Sequence, residues 1–391
     1  MKRQVCVIAY TKYSIDTRIR REAETIAETQ EYDVTILTPK EGKNARRYQL
    51  ENVEVVELKA GRYRGKSNLL LLWSYFLYLC SAFFACSRLF FKQGIDVVHV
   101  HNMPNVLVFA ATVPRLFGRK VILDIHDTMP ETYRAKCEDS SEFVFRLLCL
   151  EESLCTAFAH KIICVNGPQS EALINRGVPD HKIDIVMNVP QEKVLNSTYD
   201  GHDAPIDPGA FNLVYHGTIA RRLGVDLAIR AMAKIVPRIP NAALYIYGID
   251  NDSDECASLV EDLGIAKHVH FKEPMPLYQL VPILRRMDIG VVSNRKNIAA
   301  ELMLPVKLLE YITLNIPVVA PRLKTIRYYF ADDMVHYFDP EDVDSLAETI
   351  YDAYVHESRR KAYAEKARNH IRQHEWHRYE HILTNLYKSL S

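Results

Sequence analysis

Two doubly wound α/β domains facing across a cleft are the fold that this 391-residue sequence predicts, and three observations carry the prediction. Short Val/Ile/Leu-rich runs without polar alternation recur along the chain, as expected of parallel strands buried on both faces. A stretch with helical periodicity follows each of them. A turn-rich segment without apolar periodicity, NSTYDGHDAPIDPGA at residues 196–210, then splits the series into two sets. The expected domains are therefore residues 1–200 and 201–374, with a final helix at 375–391.

Composition narrows the function. Lys+Arg and Asp+Glu number 49 each, so no basic excess marks a general nucleic-acid binder. The eight cysteines form no C-x-x-C pair, and most lie in apolar runs, as reduced core residues of a cytosolic protein do. The start, MKRQVCVIAY, reads as a first strand, because its apolar run is too short for a signal peptide.

In the first half, strands are expected at 5–9, 32–37, 53–58, 95–100, 121–127, 161–165 and 183–186. The helix after the first strand opens DTRIRRE, with Asp16 as its cap. Arg18 and Arg21 either pair with acids on the surface or meet an acidic acceptor in the cleft. Residues 69–86 hold eighteen uncharged positions, long enough to span a bilayer. A spanning helix would put strands of one sheet on opposite sides of the membrane. The reading is instead a helix packed on the sheet, either fully buried or with an outer face on a membrane surface. Arg62, Arg64, Lys66, Arg88 and Lys92 flank it for anionic lipid. His99 and His101 share a strand face; they lack an evident third metal ligand, and His101 and Asn102 are expected to line the cleft at the sheet's carboxyl end. His126, Asp127 and Glu131 gather at the end of another strand and in its loop.

In the second half, strands are expected at 211–215, 243–247, 269–271, 288–292 and 316–320. After the first comes HGTIARRLG, where Gly217 lets a ligand approach the backbone and Arg221 and Arg222 precede a helix. Gly248 ends the second strand. Leu304-Pro305 closes an extended segment, and the amides of Val306, Lys307 and Leu308 then form an anion site at a helix N-terminus. Lys307 adds a cation and Glu310 lies one turn on, which suits a nucleoside diphosphate; on spacing alone both could equally be solvated. Asp252-Ser253-Asp254 matches a metal-binding D-x-D pattern but reads as a solvated acidic loop, and no metal site is expected.

LPVKLLEYITLNIPVVA resembles the donor-binding signature of the retaining GT-B glycosyltransferases of family 4, and the loop at 216–224, the D-x-R-x-x-R-E opening and DIHDTMPE resemble other motifs of that family. The resemblance implies a GT-B fold whose first domain holds an acceptor through Asp16, Arg18, Arg21, His101, Asn102 and Glu131. The second would hold a nucleotide-sugar through Gly217, Thr218, Arg222, Gly248, Glu273, Leu304, Pro305, Lys307 and Glu310. It gives His126 a place at the transferred sugar, with Asp127 beside it, and makes the last helix cross back to the first domain on Trp376 and Tyr379. The usual first acid of the signature is Leu302 here, with Glu301 one residue off, and the usual loop lysine is Leu223, for which Arg222 substitutes. The implied reaction is a retaining, metal-independent sugar transfer from a UDP- or GDP-sugar, without cofactor, with Arg222 and Lys307 on the leaving diphosphate. Closure of the two domains would exclude water. The apolar helix suggests a lipid-linked saccharide acceptor of envelope or exopolysaccharide synthesis and a peripheral place on the inner face of the cytoplasmic membrane. The alternatives are a sugar-nucleotide epimerase of the same fold and a non-catalytic partner subunit.

Overall fold

A computed structural model describes residues 2–63, 65, 67–137, 140–196, 206–249 and 253–390. Arg64, Lys66, Asp252 and most of the expected linker lie outside the described residues.

The chain divides into two compact units, residues 1–188 with 377–391, and residues 189–376. The first unit contains an eight-stranded sheet: β1 (Arg3–Ile8), β2 (Tyr32–Lys40), β3 (Arg47–Leu50), β4 (Val53–Gly61), β5 (Val97–His101), β6 (Lys120–Ile125), β7 (Lys161–Cys164) and β8 (Ile183–Ile185). The strand order is β3-β4-β2-β1-β5-β6-β7-β8, and every pair is parallel except β3–β4. The second unit holds β9 (Phe211–Thr218), β10 (Ala242–Ile249), β11 (Val269–Lys272), β12 (Ile289–Val291), β13 (Val318–Pro321) and β14 (His336–Phe338), all parallel in the order β11-β10-β9-β12-β13-β14. Both are doubly wound, so the carboxyl ends of β1 and β9, where the strand order reverses, are the places for ligands.

Two strands escaped the sequence reading. β3, RYQL, is an exposed edge strand without an apolar run, and β14 has three residues, two of them polar in part. The division falls at residue 188, ahead of the turn-rich segment. Leu195 is already part of the second unit's core, and its carbonyl accepts from Arg285 at 2.9 Å. The helix Trp376–Ser389 joins the first unit from His377 onward. Its buried anchors there include Tyr379, Leu383 and Tyr387, and the Tyr387 ring packs edge-on to Tyr32.

The helix Asn68–Gln93 buries its small and polar side. Ser74, Tyr78, Ala82 and Cys86, spaced by four, face the sheet, while Leu69, Leu72, Trp73, Phe76, Phe84 and Phe91 are exposed. Only 22% of its most apolar window is buried. The expectation of a fully buried helix is thus corrected.

Candidate active site

In the second unit the site forms at the end of β9. Gly217 takes φ 109° there, and Gly224 closes the following turn at φ 66°. A β-carbon on Gly224 would lie 2.0 Å from the carbonyl oxygen of Ser293, so only glycine fits between these loops. Gly248 has a different reason. A β-carbon there would meet Ile219 at 2.4 Å, so this glycine makes room for a packed side chain.

Lys307 is the unusual residue. Its Nζ lies 3.5 Å from the centre of the Tyr215 ring and has no hydrogen-bond partner among the described residues. Burial, with Arg222 adding to it, brings its pKa down from 10.5 to about 7, against the pull of Glu310. The helix Val306–Thr313 begins beside it with Pro305 as a cap that supplies no side-chain bond. The Leu308 amide donates to the Pro305 carbonyl at 3.0 Å, so the expected set of three amides shrinks to Val306 and Lys307. The half-buried Arg222 is close enough to act on Lys307, whose Nζ would lie 3.5 Å from a β-carbon at Gly217.

Glu310 is buried rather than solvated, and its Oε2 lies 2.5 Å from His216 Nε2. His216 Nδ1 in turn lies 2.9 Å from the Tyr311 hydroxyl, which donates to the Val214 carbonyl. One carboxylate oxygen of Glu310 is thereby fixed. His216 was missed by sequence reading; its place one residue before Gly217 was the available signal. Glu301 does not replace the absent first acid. Its Oε2 accepts from the Lys324 amide at 2.5 Å and its carbonyl accepts from Thr325, so it caps the helix Lys324–Tyr329. Glu273 is exposed beyond the edge strand β11, Thr218 is exposed at the end of β9, and Leu304 is half-buried before Pro305.

In the first unit the expected acceptor residues sit largely in the interior. Asp16 caps the helix Thr17–Glu28, accepting from the Ile19 amide at 3.2 Å and from Thr11 at 2.7 Å. Arg18 is buried and binds Glu22 at 3.0 Å and Asp124 at 2.6 Å, so neither the surface pairing nor the acceptor contact describes it. Arg21 is buried too and donates to Asn188 at 3.1 Å. Glu131 accepts from Arg176 at 2.5 Å, and Arg176 also holds Glu152, which makes Glu131 part of a buried ion-pair network. Asn102 is scaffold: its amide donates to Asp127 O at 2.8 Å and its oxygen accepts from the His126 amide at 2.8 Å.

Behind His126 lies a cluster of imidazoles around one carboxylate. His101 Nδ1 is 3.1 Å from Asp124 Oδ2 and 3.0 Å from His126 Nε2. The rings of His99 and His101 stack at 4.3 Å, and His99 Nδ1 meets the Tyr387 hydroxyl at 2.8 Å. Burial pushes Asp124 up, but Arg18, His126 and His101 outweigh it and hold the carboxylate well below its usual range. Burial lowers His99 strongly and His126 less, which favours the neutral rings. Burial and the neighbouring Asp124 bring Glu22 up to about 7. His126 alone reaches solvent, with 22% of its side chain exposed.

Ligand atoms of Glu22, His99, His101 and Asp124 all lie within 4.8 Å of one another, a donor set that sequence reading missed because Glu22 and Asp124 come from other elements. Arg18, bonded to both carboxylates, already supplies the cation there. The donor set therefore fits a metal poorly.

Topology defines the class: two Rossmann-like units, the second with Lys307 and Gly217 close together at the end of its first strand. Comparison with known proteins agrees. Residues 15–188 match a glycosyl transferase 4-like domain and residues 202–370 match glycosyl transferases group 1. The chain belongs to the GT-B glycosyltransferases of the family 4 type. It is 23% identical over 247 residues to D-inositol 3-phosphate glycosyltransferase of Corynebacterium urealyticum, a match covering 59% of this chain and 57% of that protein. The same enzyme of Corynebacterium aurimucosum is 27% identical over 187 residues, covering 45% and 42%. The chain thus spans about half the length of these curated relatives. Among solved structures, sucrose-phosphate synthase from Thermosynechococcus elongatus superposes with a TM-score of 0.80 at 16% identity, covering 100% of this chain and 99% of that one. HepE of Anabaena in complex with UDP-glucose gives 0.72 at 13% identity, covering 99% of each chain.

Proposed function

We propose that this chain is a retaining glycosyltransferase that moves a sugar from a UDP- or GDP-sugar to a lipid-linked acceptor. One observation carries the donor half of this reading: a buried ammonium at Lys307 with no hydrogen-bond partner among the described residues, near Arg222 and at the start of a helix. A diphosphate would supply the counter-charge that the protein withholds. As the sugar–phosphate bond breaks, the leaving diphosphate gains charge, and Arg222, Lys307 and the amides of residues 306 and 307 stabilise it in place, without a metal. Glu310, held by His216, takes the ribose hydroxyls through its remaining oxygen. His126 presents its exposed edge to the transferred sugar while the cluster behind it fixes the ring. Retention follows the same-face course, in which the leaving phosphate helps to deprotonate the acceptor.

The acceptor half rests on the helix Asn68–Gln93, whose exposed side is apolar and whose last turn carries Lys92. A membrane surface would cover it, with the chain peripheral on the cytoplasmic face and serving envelope or exopolysaccharide synthesis. Phosphate-bearing partners recur in the names of similar proteins: inositol 3-phosphate for the curated relatives, and glucose-6-phosphate in a trehalose-phosphate synthase structure with a TM-score of 0.74 at 12% identity.

The test is nucleoside diphosphate release from a panel of nucleotide-sugars, with and without membrane lipid extract, alongside Glu310→Ala. Release that depends on extract and vanishes in the variant is the expected result. A second reading, a non-catalytic partner subunit, is favoured by Leu302 and by the capture of Glu301 at Lys324. Silence across the panel with nucleotide binding intact would establish that reading instead.

A further inference from the structure

A small basic pocket opens at the carboxyl ends of β1, β2 and β4, apart from the histidine cluster. It measures about 130 Å³ and is lined by Thr11, Lys12, Pro39, Lys40, Glu41 and Arg62. Three cations face one carboxylate. Glu41 lies 3.4 Å from Lys12 and 3.9 Å from Arg46, so it is matched from both sides; Lys40 donates to the Lys43 carbonyl at 3.4 Å, and neither it nor Arg62 has a carboxylate partner among the described residues. Nothing in the mechanism above uses this charge.

The pocket is joined to the start of the inside-out helix. The Arg62 guanidinium lies 5.9 Å from the Tyr10 ring centre. The Tyr10 hydroxyl accepts from the Tyr63 amide at 2.9 Å and lies 2.6 Å from Ser74 Oγ, on the buried side of the helix. On the opposite side Trp73 and Phe76 stack at 5.5 Å in the open, with Leu69 and Leu72 beside them. A core helix would bury these rings. An anion-sized basic pocket, linked through Tyr10 and Ser74 to a helix whose other side is an unsheltered aromatic stripe, is complementary to a molecule with a charged head and a hydrocarbon tail.

We propose that the pocket and this helix face form one site for a phosphate-headed amphiphile. Lys12, Lys40 and Arg62 hold the phosphoryl oxygens, and Leu69, Trp73 and Phe76 stand in the hydrocarbon of the leaflet. The inference rests on the lipid-linked acceptor reading and deepens it, by naming the phosphoryl group as the part recognised.

The experiment is co-flotation of the full chain with phosphatidylcholine vesicles that are undoped, doped with a polyprenyl phosphate, or doped with phosphatidic acid. UDP and GDP binding are measured in parallel. The wild type floats with doped vesicles, and soluble pyrophosphate releases it. Preference for the polyprenyl phosphate identifies a carrier lipid, and equal binding identifies a general headgroup; both support the site. The pair Lys40→Glu with Arg62→Glu lowers binding to doped vesicles about tenfold or more, while nucleotide binding stays intact. The pair Leu72→Glu with Phe76→Glu abolishes flotation. Equal flotation with undoped vesicles, or a pocket variant that floats like the wild type, overturns the phosphoryl assignment. Light scattering that finds a dimer dissolved by Leu72→Glu with Phe76→Glu overturns the lipid as occupant in favour of a second copy. Loss of nucleotide binding by the wild type would instead count against the transferase reading and leave the amphiphile result standing.

Discussion

The two units bury charge in opposite ways. In the first, Arg18 is enclosed by Glu22 and Asp124, and Asp124 is further matched by His101, so the interior cancels its own charge. In the second, Lys307 is buried over the face of Tyr215 with no acceptor among the described residues, and Arg222 aggravates its position. The first arrangement pairs its cation inside the fold behind His126, although Glu22 Oε2, His99 Nε2 and His101 Nε2 have no hydrogen-bond partner among the described residues. The second is incomplete, and a buried ionisable group without a partner is costly unless a ligand completes it. The difference separates structural from ligand-binding charge more sharply than residue type does, since both units offer basic residues in a first helical turn or loop.

Four substitutions break or sharpen this contrast. Lys307→Met should weaken UDP or GDP binding about a hundredfold or more, by removing a charge-assisted contact. It should also raise thermal stability, because the unpaired ammonium is gone. Since the Lys307 pKa falls from 10.5 to about 7, the folded state binds fewer protons than the unfolded one between those values. Wild-type stability therefore rises with pH through that window, and chemical denaturation of Lys307→Met should lack this contribution. Arg18→Met does the reverse. It leaves Glu22 and Asp124 buried without their cation and should destabilise the first unit by about 3–5 kcal/mol, with nucleotide affinity unchanged. His216→Gln loosens Glu310 and should raise the donor KM by roughly tenfold, as expected for a hydrogen bond to a charged group, with little change in melting. Tyr387→Phe removes one hydroxyl from His99 and should cost about 1 kcal/mol in unfolding free energy.

The sheets were legible in the sequence because buried parallel strands announce themselves as unbroken apolar runs, as VCVIA and VILDI do. The helix start at Pro305 was legible for a similar reason: it depends on local chain direction. What could not be read depends on side chains meeting across elements. Arg18 finds Asp124 from 106 positions away, Glu301 turns to Lys324, and His216 reaches Glu310 across the fold. Gly248 carried the same signal as Gly217, and spacing does not show that the room it makes is filled by Ile219. The exposed face of Asn68–Gln93 was half legible: its apolarity was plain, but which side it buries depends on Ser74 and Tyr78 bonding to the sheet and its loops.

The central claim is that Lys307 is held uncharged in part until an anion arrives. Calorimetric titration of UDP and of GDP at about pH 8, in buffers of differing ionisation enthalpy, tests it directly. Binding accompanied by proton uptake, with the uptake lost in Lys307→Met, is the predicted result. Binding of the same strength in wild type and variant, with no proton taken up by either, would contradict the account.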